Sequence, residues 1–296
     1  MMLPMTFDPR SYPIDGPAGR LVVHEWGAGA DHPDAPPTLL AHPTGFHGRV
    51  WAPVAERLVA AGRRVWSFDF RGHGDSDAPD PAGDAYHWNG FAADALAVVD
   101  HLGLAGDPAL VACGHSKGAA ALLLGEANQP GSYPRIWAFE PIVFPSEIAA
   151  LVNNEPMANG ARRRRNEWAS LDEAYEAFAA KPRLGVMAPE SLRAYVEYGL
   201  RDRGDGVFEL KCRPEVEASV YSMAPANGVW ELLPRVDAPV LVACGETSRD
   251  ISPELARRVV DRLPHAQLEV WPGVGHFGPQ QDADACAASV VRFADS

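Results

Sequence analysis

The chain has 296 residues, 47% of them hydrophobic and 22% charged, a balance that excludes disordered, collagen-like and coiled-coil classes. Its 26 Lys+Arg against 39 Asp+Glu leave a net charge of −13, which disfavours nucleic acid and anionic membrane as partners, since both need a positive surface. At about 150 residues per domain, the length fits one large domain or two small ones.

Residues 1–7 lack the charged start and the apolar run of roughly 7–15 residues that a secretory signal needs. No segment approaches the ~18 uninterrupted apolar residues of a membrane helix. A cytoplasmic location is expected. Cys113, Cys212, Cys244 and Cys286 show no CxxC spacing and no close pairing, so reduced thiols are expected in place of disulfides or a zinc site.

In chain order, short apolar runs at 21–26, 38–41, 65–68, 110–113, 136–139, 240–244 and 268–271 read as buried strands. Helical spacing lies between most of them, as at Trp51, Val54 and Leu58, then Phe91, Leu96, Val98, Val99 and Leu102. Strand alternating with helix predicts a mainly parallel sheet with helices on both faces. From about 145 to 234 the alternation stops and helical patterns (171–180, 189–200, 214–223) follow one another. Residues 145–233 therefore read as a helical insertion in a core made of 1–144 and 234–296. The four arginines at 162–165 read as a solvated helix face, with attraction of an acidic ligand as the alternative.

The segment that carries chemistry is Leu110-Val111-Ala112-Cys113-Gly114-His115-Ser116-Lys117-Gly118, an apolar strand, a Gly-x-Ser-x-Gly turn and a small-residue helix start. Glycines on either side of the serine permit a sharp turn that lifts the Ser116 hydroxyl above the sheet edge. The helix that begins there aims unpaired N–H groups and its positive end at the same point.

With three further landmarks in order, the sequence resembles the α/β-hydrolase superfamily over nearly its whole length. These are His42-Pro43-Thr44-Gly45-Phe46-His47-Gly48, Asp69-Phe70-Arg71-Gly72-His73-Gly74 and Gly273-Val274-Gly275-His276-Phe277. The resemblance implies an α/β-hydrolase fold with an inserted helical cap. It also implies an oxyanion loop after the third strand, Ser116 as nucleophile after the fifth, and His276 as base after the last.

Ser116 needs a base, and the order serine before histidine is the one this fold uses. His42, His73 and His115 are expected to brace loops, with substrate contact as the alternative; His24, His32, His47, His87, His101 and His265 have no constellation around them. Relatives most often carry the acid as Gly-x-x-Asp after the seventh strand, but here Ser248 stands at that place. Glu140 ends the sixth strand 24 residues after Ser116, as in relatives that carry the acid there, and is assigned to orient His276. Asp250 and Glu246 are the alternatives. The oxyanion donors implied are the backbone N–H groups of Lys117 and Thr44, with Gly45 or Phe46 open as the second donor because Pro43 has no N–H. The Lys117 side chain is expected to pack beneath the turn and pair with a carboxylate, or to recognise an acidic substrate. Asp69 and Arg71 are expected to brace their loop.

Pocket candidates are Phe46, Phe144, Trp168 and Phe277. Met157, Tyr195, Tyr198, Tyr221, Met223 and Trp230 are further choices, more than half of them expected inside the cap's own core. The activity implied is hydrolysis of a small to medium hydrophobic ester. Lactone, thioester or carbon–carbon bond hydrolysis and an idle ligand-binding role are the rivals. The expected partner is that small molecule, with a homodimer allowed. No metal or organic cofactor is implied.

Overall fold

The structure is a computed structural model that describes residues 8–27 and 34–296; residues 1–7 and 28–33, which carry the leader reading and His32, lie outside the described residues. The elements run β1 (Arg10–Gly16), β2 (Gly19–Trp26), β3 (Pro37–Ala41), α1 (Ala52–Ala60), β4 (Arg64–Asp69), α2 (Trp88–His101), β5 (Val111–His115), α3 (Lys117–Asn128) and β6 (Ile136–Phe139). There follow α4 (Ser146–Ala149), α5 (Glu155–Arg162), β7 (Glu167–Trp168), α6 (Leu171–Ala179), α7 (Pro189–Gly199), β8 (Leu200–Asp202), β9 (Phe208–Leu210), α8 (Pro214–Met223) and α9 (Val229–Leu232). The chain closes with β10 (Val240–Gly245), α10 (Pro253–Arg262), β11 (Ala266–Trp271), α11 (Gly278–Gln281) and α12 (Ala283–Ala294).

Eight strands form one sheet in the order β1-β2-β4-β3-β5-β6-β10-β11. Only β2 runs against the rest, pairing antiparallel with both β1 and β4, while every pair from β4 to β11 is parallel. The central strands β3 and β5 are buried at every position, because helices cover both of their faces. One face packs α2, α3 and α10 through Phe91, Ala95, Val99, Leu123 and Val259; the other packs α1 and α12 through Val54, Leu58, Cys286 and Val290. On that second face the β6 residue Trp137 donates its indole N–H to Ser289 of α12 at 3.0 Å.

The structure adds two features to the sequence reading. The first is β1, an edge strand in which Ile14 is buried, Tyr12 is half-buried and the other side chains lie toward water. The second corrects the all-helical insertion: between β6 and β10, three strands of two or three residues pair as a small sheet β7-β9-β8 among the helices.

Candidate active site

Ser116 sits between β5 and α3 with φ 57° and ψ −114°. Close packing explains both flanking glycines. A β-carbon at Gly118 would run into the Ala41 carbonyl oxygen of β3, and one at Gly114 would lie 2.5 Å from Ala119 Cα. Lys117 is the first residue of α3, so its backbone N–H has no acceptor within the helix and points out of its N-terminus beside Ser116.

Glu140 follows the neighbouring strand β6 with φ 44°. Among the described residues, Ser116 and Glu140 are the only non-glycine residues with positive φ. Backbone strain of this kind costs of order 1–3 kcal/mol and persists where surrounding structure imposes it. Here the Ser116 N–H donates to Phe139 O at 2.9 Å and the Glu140 N–H to Ala243 O at 2.8 Å, which pins each residue to the next strand.

The Glu140 carboxylate is fully buried, and both of its oxygens are occupied. Oε1 accepts the Gly245 N–H at 2.9 Å; Oε2 accepts the Ser248 hydroxyl at 2.8 Å and lies 2.6 Å from His276 Nδ1. With Nδ1 donating to Glu140, the lone pair of the imidazole is on Nε2. The alternatives lie elsewhere: Asp250 is 4.0 Å from His276 Nδ1 and pairs with Arg183 at 3.0 Å, while Glu246 accepts the Gly273 N–H at 2.9 Å. Ser248, at the place where relatives carry an aspartate, is a donor to Glu140. The sequence signal for that role was the paired anomaly of a serine there and a glutamate ending the sixth strand.

The expected donors of the oxyanion loop separate in the same way. The Phe46 N–H is spent on Pro43 O at 3.3 Å, while Thr44 lines the cavity above Ser116. His42 holds this loop: Nδ1 donates to Pro43 O at 2.8 Å, and Nε2 accepts the Phe70 N–H at 3.1 Å. Burial and the nearby Lys117 charge hold His42 well below the usual histidine range, consistent with a neutral ring. Asp69 accepts the N–H groups of Gly48 and Asp75 and lies 3.2 Å from His24, so it braces both loops; Arg71 forks onto Asp94. His115 packs its ring against His276 at 4.9 Å, and burial keeps it well below its ordinary pKa.

Lys117 is a correction. Its side chain is fully buried, but among the described residues no carboxylate pairs with it, and it does not line the cavity. Nζ lies 4.1 Å from the Phe70 ring centre, 4.6 Å from that of Phe91 and 3.5 Å from His73 Nε2. Loss of water pushes the ammonium down to about 7.

A cavity of about 270 Å³ opens on Ser116 and His276 together. Phe46, Phe144 and Phe277 line it, as do Met157 and Tyr221. Trp168 does not: it is buried against Phe178, ring centres 5.1 Å apart, in the packing of the insertion. Tyr195, Tyr198, Met223 and Trp230 also lie outside the lining, whereas Arg183, Arg249 and Asn154, which the sequence did not single out, lie in it. The arginine run divides as well. Arg164 is half-buried on Glu217 and Tyr195 and the others are exposed, so the solvated-face reading fails for Arg164 alone.

Among the described residues no group of three or more His, Cys, Asp or Glu side chains could hold a metal ion, and no helix is long and apolar enough to cross a membrane. A family model described as the alpha/beta hydrolase family matches residues 38–289. The chain belongs to the alpha/beta hydrolase family. Among relatives of this alpha/beta hydrolase, the non-heme haloperoxidase of Rhodococcus erythropolis is 25% identical over 283 residues, covering 92% of this chain and 94% of its own. Rhodomycin D methylesterase DnrP of Streptomyces peucetius is 25% identical over 283 residues, covering 90% and 93%. The crystal structure of E-2-(acetamidomethylene)succinate hydrolase is similar in fold, with a TM-score of 0.81 at 20% identity, covering 98% of this chain and 100% of that one.

Proposed function

We propose that this hydrolase cleaves a small to medium hydrophobic carboxylic ester through an acyl-enzyme on Ser116, with His276 as general base and Glu140 as its orienting acid. The observation that carries the reading is the 2.6 Å contact of Glu140 with His276 Nδ1, in a cavity that Ser116 and His276 share. Glu140 holds the tautomer whose Nε2 takes the Ser116 proton and balances the charge of the imidazolium that results. Ser116 Oγ attacks the acyl carbon, and the backbone N–H groups of Lys117 and Thr44 receive the oxyanion. His276 then returns the proton to the leaving alcohol. Water, activated by the same ring, releases the acid.

Residues 145–233 act as a cap over this cavity. Apolar side chains such as Phe144, Met157 and Phe277 favour a hydrophobic ester. The four cysteines are free and buried, which suits a cytoplasmic location.

The test is labelling with a fluorophosphonate beside turnover of p-nitrophenyl esters of graded chain length. Label on Ser116 together with ester turnover is the expected result. A folded protein that takes no label and turns over no ester overturns the reading in favour of ligand binding alone.

A further inference from the structure

We propose that the leaving-group half of the substrate carries a carboxylate, held by Arg249 and Arg183 on the His276 side of the cavity; this rests on the ester-hydrolysis reading above. Two guanidinium groups line a cavity otherwise walled largely by aromatic and aliphatic side chains, and among the described residues the only carboxylate in that wall is Asp250. Arg183 binds Asp250 at 3.0 Å and lies over the Phe277 ring at 5.5 Å, which fixes its position beside the catalytic histidine loop. Arg249 is exposed at the cavity mouth and has no hydrogen-bond or ion-pair partner among the described residues, so one positive charge there is free to pair in a protein of net charge −13. A planar guanidinium fork matches a carboxylate, and the Arg183–Asp250 contact already shows one seated there.

The side of the substrate follows from proton transfer. His276 protonates the leaving alcohol, so that half of the ester lies toward the imidazole, while the carbonyl oxygen lies toward Thr44 and Lys117. Arg183 lies over the ring of Phe277, whose own ring centre is 5.4 Å from that of His276, and shares the cavity lining with Arg249, which puts the pair beside the histidine loop. The substrate class is therefore an ester with an uncharged, apolar acyl group and an alcohol that bears an acid.

Two aryl acetates of the same shape, one with a charged and one with a neutral leaving group, test this once each rate is divided by that of its uncatalysed hydrolysis: 4-acetoxybenzoate and 4-acetoxybenzamide. Wild type is expected to favour the benzoate in kcat/KM by about three- to fivefold, the upper range for an ion pair at a solvated site. That preference is expected to fall toward unity in Arg249→Gln and in high salt. A wild-type ratio near one overturns the proposal, as does the same ratio in Arg249→Gln, or a carboxylate preference confined to the acyl side in phenyl hemiglutarate against phenyl butyrate. Calorimetric binding of 4-hydroxybenzoate and 4-hydroxybenzamide to Ser116→Ala gives a readout independent of turnover. Tighter benzoate binding, with no ester cleaved by wild type, would leave a carboxylate site at these arginines standing and overturn both the ester reading and the leaving-group assignment; equal binding overturns the carboxylate site itself.

Discussion

The sheet and the insertion build their halves of the cavity by different means. On the sheet side, Ser116 and Glu140 end adjacent parallel strands, each in a positive-φ conformation pinned by a hydrogen bond to the next strand. The backbone sets their position, and the side chains follow. On the insertion side, position rests on side chains meeting side chains. Arg164 holds Glu217 and Tyr195, the Tyr195 ring lies 4.6 Å from that of Phe46, and Glu217 fills the space that a β-carbon on Gly45 would need. The contrast teaches that the groups proposed to react are held by features a local sequence motif can encode, whereas the cavity walls depend on distant partners.

The sharpest way to break that contrast is at the backbone-held groups. Ser116→Ala is expected to lower kcat by about 10⁵–10⁶, the scale seen when one member of a catalytic unit is lost, with little change in melting temperature. Retention of a tenth of the activity would remove Ser116 from its role. Glu140→Gln keeps the shape but favours the wrong imidazole tautomer, a change that cost about 10⁴ in the serine-protease precedent. Asp250→Asn should cost less than about tenfold against the same neutral ester. A reversed order would move the acid to the loop after β10.

A smaller effect is expected on the insertion side. Met157 lines the cavity from α5, so Met157→Ala adds room for roughly three heavy atoms of acyl or alcohol. The ratio of kcat/KM between long and short esters should rise by about tenfold, the usual value of filling such space, while fluorophosphonate labelling of Ser116 changes far less. Equal change in both would mean that the insertion also sets the reacting geometry.

The effect farthest from the chemistry concerns Lys117, and it is read as stability against pH. Burial lowers its folded pKa to about 7 from an ordinary value near 10.5, so between those values the unfolded chain holds a proton that the folded chain does not. Stability must then rise with pH across that window, by at most about 1.4 kcal/mol per pH unit, and be flat below it for this group. Urea midpoints at pH 7 and pH 9 should show wild type gaining on Lys117→Met. A gap that does not change with pH would mean that the ammonium titrates normally.

Legibility followed the same division. The turn Gly114-His115-Ser116-Lys117-Gly118 and the loop around His276 are contiguous, and so are the apolar runs of seven of the eight strands in the main sheet. β1 leaves no apolar run in the sequence because an edge strand needs few apolar residues, and Pro13 is tolerated there since its outer side faces no strand of the sheet. β7, β8 and β9 have two or three residues each, too short for any periodicity to register. Trp168 and Tyr221 could not be told apart by composition, since a core aromatic and a pocket aromatic are the same residue type until their neighbours are known. A lysine beside the turn implies a carboxylate partner; the fold supplies instead the faces of Phe70 and Phe91, from the loop after β4 and from α2.

The hydrogen bonds that join Ser116 to β6 and Glu140 to β10, with the Gly245 N–H closing on the Glu140 carboxylate, also make a statement about time. Those three amide protons lie at the carboxyl ends of buried strands and are each held in a hydrogen bond, so exchange with solvent water requires the strand ends to part and they should take up deuterium late. The exposed ion pairs of the insertion, such as Arg165–Glu173 and Arg203–Glu167, guard nothing comparable, and amides around them should exchange early. On warming, selectivity between esters should therefore blur at temperatures where the bare capacity to react with a fluorophosphonate is still intact.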